Sequence, residues 1–303
     1  HLRGLEALGA GITLDAGYIH ARAPAGGRLR GASIFLGGNA GPTVLGTANI
    51  MSAATLAHGR TTIESAACEP EIADLADLLN AMGARISGVE SLSGATHDVM
   101  PDRIEAGTYI MACAATNGEI TLENCPLDAL LAASDHLGRI GVHVTPLSES
   151  TGRAATDVRI TCERTLRPVE ITTHPHPGFP TDLQAQMMAL LCLADGISVI
   201  TERIYPQRFL HVAELSRMGA HITRQGPTAV VSGGRELIGA PVMASDLRAS
   251  ACLIIAGLAA KGMTTVRRVY HLDRGYERME EALASLGASI DRIDDREIDA
   301  DQL

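Results

Sequence analysis

The stretch from Gly178 to Gln186, GFPTDLQAQ, is where this chain is best built to hold a reactive carboxylate. Gly, Pro and a Thr-Asp pair break the chain, and an apolar run, MMALLCLADG, follows at once. Thr181 and Gln184 stand three apart, the spacing of a capping box in which the hydroxyl takes a free amide and the glutamine reaches back. Asp182 then falls in the first turn, where the positive end of a helix favours a carboxylate. A carboxylate so placed serves chemistry and plain capping equally well. Asp102 and Asp246 hold matching places before other apolar runs, which favours capping. Arg274 in DRGYER is, by itself, most simply a surface ion-pair residue. His174 and His176 alternate with Pro in HPHPGFP, a spacing that puts no two ligands on one helix face, so a turn is expected there and no metal.

The elements around these residues come as a repeat. A small-residue helix ends in Gly and is followed by a short β-rich run, a loop, a second helix ending in Gly, and a strand. The four copies are NIMSAATLAHGRTTIESA…LADLLNAMGARI, YIMACAATNGEITLENC…SDHLGRIGVHV, MMALLCLADGISVITERI…VAELSRMGAHI and CLIIAGLAAKGMTTVRRV…MEEALASLGASI. First Gly to second Gly is 24 residues in the first (59 to 83), 23 in the next two (118 to 141, 196 to 219) and 25 in the last (262 to 287). Second Gly to second Gly runs from 58 residues (83 to 141) to 78 (141 to 219). Helical solenoids repeat faster, at about 33–47 residues, and lack strands such as SVITERI, whose β-branched residues favour extended backbone.

The first helix of each copy is apolar nearly all round, so it is expected to be buried on every side; the second is amphipathic. Buried helices with sheet folded over them imply an α/β domain in which sheet surrounds helix. A boundary is expected near Val99–Pro101, giving an incomplete first domain over residues 1–98 and a second domain of three units over 99–303. The acidic end, DRIDDREIDADQL, is expected to supply a last strand and a solvated tail.

Composition narrows the function classes. The 303 residues are 46% hydrophobic but 3% aromatic with no Trp, so the core must be built from Ala, Leu, Ile, Val and Met. A net charge of −10 argues against a nucleic-acid or anionic-membrane surface, while leaving room for a local arginine cluster that binds small anions. Six scattered cysteines without CxxC fit reduced thiols in a cytoplasmic protein. No signal peptide and no apolar run of ~18 residues is found, so no membrane span is expected. The chain opens on His1, straight into a helix-like pattern, and reads as a piece of a longer protein.

GFPTDLQAQ, ERIYPQRFLHVAELSRMGAHI, GAPVMASDLRASACLIIAGLAAKG and YHLDRGYERMEEAL together resemble the enolpyruvyl transferases that act on UDP-N-acetylglucosamine at the start of peptidoglycan precursor synthesis. EPEIADLADLLNAMGARISG and DRIEAGTY extend the resemblance over nearly the whole chain. It implies an inside-out α/β barrel of two domains, each of pseudo-threefold βαβαββ-type units with buried helices. It also implies transfer of an enolpyruvyl group from phosphoenolpyruvate to the sugar 3′-hydroxyl, by addition and elimination with release of phosphate and with no cofactor or metal. The substrates are then small molecules, and a monomer is expected.

By the same resemblance, Asp182 matches a carboxylate that contacts the sugar hydroxyl and moves a proton, while Arg248 and Arg274 match arginines that bind phosphoenolpyruvate. Thr181, Ile204 and Arg208 match positions by the UDP-sugar or the closing cleft, and Thr43 and Val44 align with a UDP-sugar loop carried on residues 1–98. Two departures are evident. The family's catalytic loop, with its Cys or Asp, and its N-terminal Lys-Asn pair are absent, so these residues alone are expected to be inactive. In GGNAGPTVLGT, Gly41 stands where relatives often have Lys. Two further readings are a non-catalytic UDP-sugar-binding paralogue and a 3-phosphoshikimate 1-carboxyvinyltransferase.

Overall fold

The computed structural model describes residues 1–38, 40–84, 88–147 and 155–294. Its contacts divide the chain into two units, His1–Met100 with Pro175–Pro177, and Pro101–His174 with Gly178–Leu303.

The first unit begins with α1 (Leu2–Ala7) and an antiparallel hairpin, β1 (Gly11–Asp15) and β2 (Tyr18–Arg22). Next come β3 (Ser33–Phe35), a two-residue ribbon of β4 (Gly37–Gly38) and β5 (Gly41–Pro42), α2 (Val44–Ala54), β6 (Thr62–Glu64) and α3 (Pro70–Ala81). β3 pairs in parallel with β6, so α2 is the crossover of a βαβ unit. The core here is small, comprising Leu8, Ile34, Leu36 and Ile50. α2 is covered on one side only, and its Leu45 is 69% exposed.

The second unit carries the other three copies. The first is α4 (Arg103–Ala115), β7 (Ile120–Cys125), α5 (Leu131–Ile140), β8 (Val142–Pro146) and β9 (Thr156–Cys162), with β9 antiparallel between the other two strands. The second is β10 (Glu170–Thr172), α6 (Gln184–Leu191), β11 (Ile197–Thr201), α7 (His211–Arg217), β12 (His221–Gln225) and β13 (Thr228–Ser232). Its sheet runs β10-β11-β13-β12, parallel at the first pair and antiparallel thereafter. The third is β14 (Pro241–Met243), α8 (Leu247–Ala259), β15 (Thr265–Arg267) and α9 (Met279–Ser285), with β14 and β15 parallel.

The helices expected to be buried on all sides are so in this unit. Every residue of α6 is buried, as are Ala249 to Ala256 of α8. α4, α6 and α8 pack on one another at the centre, and each also packs on a strand of its own copy. Small side chains permit this: a Cβ built on Gly107 of α4 would lie only 2.7 Å from Leu183 Cδ1, just before α6. The second helices end as their glycines require. Gly141 closes α5 with φ 108°, a left-handed conformation that costs other residues dearly, and its amide bonds back to Leu137 and Gly138.

Two expectations meet the structure differently. The strand expected after Gly287 does not form over 288–294: Ala288 and Ile290 pack against the core, but no described residue offers that segment a ladder partner. The rest of the acidic end, 295–303, lies outside the described residues, as do 85–87 of the strand expected after Gly83. The capping box is not made either. A turn of 3₁₀ helix, Thr181–Leu183, leads into α6, and neither Thr181 nor Gln184 caps it. The Thr181 hydroxyl is engaged by a carboxylate instead, and the buried Gln184 amide has no hydrogen-bond partner among the described residues.

Candidate active site

The start of α6 collects the charged side chains of the second unit. Asp182 Oδ1 accepts from Arg208 Nη1 at 2.6 Å, and its Oδ2 lies 3.3 Å from Arg248 Nη2. Arg208 comes from the segment between β11 and α7, while Arg248 is the second residue of α8, so three separate stretches converge on one carboxylate. Burial alone would push the Asp182 carboxyl up, but Arg248 and then Arg208 outweigh it and hold the carboxyl below its ordinary value. Burial works against the Arg248 charge in turn, and Asp182 more than restores it, leaving that guanidinium above its usual range.

Both ends of this cluster are anchored. Arg248 also lies beside the buried Tyr276 hydroxyl, whose ionised form its charge favours. That hydroxyl lies 2.8 Å from Thr108 Oγ1, which donates to the Ile104 carbonyl and accepts from Gln186 Nε2 at 3.1 Å. With the Thr108 proton spoken for, Tyr276 donates to Thr108 and accepts from Gln186 Nε2 at 3.4 Å. At the other end, Arg208 Nη1 also reaches Thr181 Oγ1 at 3.2 Å, and Thr181 donates to Glu202 Oε2 at 2.8 Å.

The expected site residues therefore fall into three groups. Thr181, Asp182, Arg208 and Arg248 are in one cluster. Ile204 borders it through its backbone, whose amide donates to Glu202 Oε1 at 2.9 Å. Arg274 ends the 3₁₀ segment Val269–Arg274, is exposed, and makes no ion pair or hydrogen bond with a described residue. Thr43 and Val44 belong to the first unit, where the Thr43 hydroxyl caps α2 by accepting from the Gly46 amide at 3.3 Å. Asn39 of the same loop lies outside the described residues.

The side chains that sequence reasoning missed are Glu202, Tyr276, Thr108 and Gln186. Glu202 carried a signal. Alternation along Ile197–Thr201 puts Ser198 and Ile200 on the buried face, and the next step places Glu202 there too. Among the described residues, no group of three or more His, Cys, Asp or Glu could hold a metal ion, and His174 to Pro177 form a turn.

Fold and cluster together define a class. The family described as EPSP synthase (3-phosphoshikimate 1-carboxyvinyltransferase) matches residues 1–283, and the chain belongs to it. Within that family, the chain is 53% identical to the UDP-N-acetylglucosamine 1-carboxyvinyltransferase of Anaeromyxobacter sp. (strain Fw109-5), an alignment covering 96% of this chain and 69% of the relative. It is 52% identical to the protein of the same name from Sorangium cellulosum (strain So ce56), over 98% of this chain and 70% of the relative. Among solved structures, the enolpyruvyl transferase NikO from Streptomyces tendae superposes with TM-score 0.82 at 28% identity, covering 95% of this chain and 70% of NikO. EPSP synthase from Acinetobacter baumannii shares the fold, with TM-score 0.70 at 19% identity over 95% of this chain and 69% of that one.

Proposed function

We infer that the chain supplies the Asp182 centre of an enolpyruvyl transferase, which moves the enolpyruvyl group of phosphoenolpyruvate to the 3′-hydroxyl of UDP-N-acetylglucosamine in peptidoglycan precursor synthesis. The observation that carries the reading to named residues is the Asp182 carboxylate held between Arg208 and Arg248. Phosphoenolpyruvate brings a phosphate and a carboxylate, both suited to the paired donors of guanidinium. Arg248 and Arg274, which has no ion pair or hydrogen bond with a described residue, are the proposed anion binders, with Thr181, Ile204 and Arg208 beside the sugar nucleotide.

In the addition step, the sugar oxygen bonds to C2 of phosphoenolpyruvate and loses its proton, while C3 gains one. In the elimination step, C3 gives a proton back, the C2–O bond to phosphate breaks, and phosphate leaves. Asp182 is proposed to take the hydroxyl proton. Held by two arginines it is a weak base; an anionic substrate that draws Arg248 away raises its basicity toward what the step needs.

The proposal extends to the two-domain division. Residues 1–98 carry part of the UDP-sugar site through Thr43 and Val44, and residues 99–303 carry Asp182, Arg248 and Arg274. A cytoplasmic monomer goes with it, in keeping with six free cysteines and with no described helix long and apolar enough to cross a membrane.

Calorimetric titration tests the substrate. UDP-N-acetylglucosamine is expected to bind the folded chain and to bind Asp182→Ala more weakly, and shikimate 3-phosphate is expected not to bind. Binding of shikimate 3-phosphate with none of the UDP-sugar would move the assignment to the other branch of the family.

A further inference from the structure

Glu202 is fully buried at 0% exposure, yet no arginine or lysine pairs with it among the described residues. Four donors satisfy it instead. Oε1 takes the amides of Ile204 and Tyr205, each at 2.9 Å, and the Thr173 hydroxyl at 2.6 Å; Oε2 takes the Thr181 hydroxyl at 2.8 Å. The direction of each hydroxyl bond is fixed from its far side. Thr173 Oγ1 accepts from the Arg203 amide at 2.9 Å and Thr181 Oγ1 accepts from Arg208, so both hydroxyl protons point at Glu202. The two amides need an acceptor only to close the turn after β11. The bond to Thr181 does more, because it turns the hydroxyl lone pairs toward Arg208.

We propose that Glu202 is a positioning residue for the Asp182 centre, acting through the Thr181 hydroxyl to hold Arg208 against the carboxylate. The polarity of the chain makes the assignment specific. A carboxylate only accepts, so the Thr181 proton lies on the Glu202 side and cannot compete with Arg208 Nη1, which bonds Thr181 at 3.2 Å and Asp182 at 2.6 Å. Glu202→Gln would keep the volume and reverse one polarity. Three donors hold an oxygen at the Oε1 position, so the new amide nitrogen faces Thr181 and the hydroxyl proton loses its acceptor. The charged and titratable groups facing the centre are Arg208 and Arg248 on Asp182, Tyr276 on Arg248, and His211 beside Arg208 with Asp246 behind it. The bearing on catalysis rests on the function proposed above; the hydrogen-bond chain does not.

The test reads Asp182 directly, without substrate. Aspartate labelled with carbon-13 at the carboxyl is incorporated, the Asp182 resonance is assigned by its loss in Asp182→Asn, and its titration midpoint is followed in the unliganded chain. The midpoint is expected to rise in Glu202→Gln and in Thr181→Val, each checked for an intact thermal transition, and to rise no further when the two are combined. A midpoint unmoved in folded Glu202→Gln, even with a lowered melting temperature, makes Glu202 a turn-former only and overturns the proposal. A midpoint that moves in Glu202→Gln but not in Thr181→Val also overturns it, because the effect then bypasses Thr181. Should Glu202→Gln fail to fold, Thr181→Val decides: an unmoved midpoint there removes the link to Arg208. Loss of UDP-N-acetylglucosamine binding by the wild-type chain would count against the proposed function and leave this result standing.

Discussion

Asp102, Asp182 and Asp246 occupy the same place in three copies of one repeat, just before the buried helices α4, α6 and α8. Two of them behave alike. Asp102 accepts from the amides of Ile104 and Glu105, and Asp246 accepts from those of Arg248 and Ala249, so each satisfies two of the free donors at its helix start. Asp182 takes no amide among the described residues. Its helix is entered through a 3₁₀ turn, and both carboxylate oxygens face arginines. One copy has given up a structural bond that its siblings keep. Such a departure inside a repeat points to a role that structure alone does not supply.

The contrast can be broken in several ways, and the largest effect is expected at the residue between the two kinds of site. His211 is buried and held down to about 4, by burial first and by Arg208 against the opposing pull of Asp246. The unfolded chain therefore takes up the proton first. Stability should be full above about pH 6.5 and fall, by on the order of 3 kcal/mol, as pH drops toward about 4. Urea melts across that range should show the slope, and His211→Phe should flatten it. Asp182, whose folded value is also depressed, adds nothing to that slope: its contribution is present above the ordinary carboxylate range and lost only in stronger acid.

Gly107→Ala comes next, at about 1–2 kcal/mol of lost stability, since the added methyl meets Leu183 in the turn that carries Asp182. Chemical denaturation measures it, and an unchanged midpoint would mean that the turn is not locked by α4. Asp182→Asn should weaken UDP-N-acetylglucosamine binding by roughly tenfold or more, the loss of one hydrogen bond to a charged group. Its unfolding free energy should move by less than about 1 kcal/mol, because the Asp182 side chain is 37% exposed and water screens the ion pairs. Asp246→Ala should do the reverse, costing about 1 kcal/mol of stability through the lost cap. Equal stability losses for Asp182→Asn and Asp246→Ala in urea melts would erase the contrast.

What was legible in the sequence follows from range. The Gly-to-Gly spacing gave the copies, and the apolar circumference of MMALLCLADG and CLIIAGLAA gave the buried helices, because both depend on residues a few positions apart. The capping box failed because Thr181 and Gln184 fit the local pattern while a carboxylate 21 residues away claims the hydroxyl. The Thr108–Tyr276 bond spans 168 residues, and neither type is unusual in its own segment. Glu202 is marked in the sequence only as the next step of a strand alternation, and nothing local tells it from a polar residue at a strand end.

Tyr276 makes the site optically readable. The chain has five tyrosines, three phenylalanines and no tryptophan, so tyrosine dominates its near-ultraviolet absorption and emission. Tyr18, Tyr205 and Tyr270 are exposed and Tyr109 is half-buried, whereas Tyr276 is 2% exposed, hydrogen-bonded to Thr108 and beside Arg248. An anion that draws Arg248 away from Tyr276, or Arg208 away from the Tyr205 ring it covers, changes the electronic environment of a tyrosine at the cluster, so difference spectra of the unlabelled protein can follow its occupancy in real time.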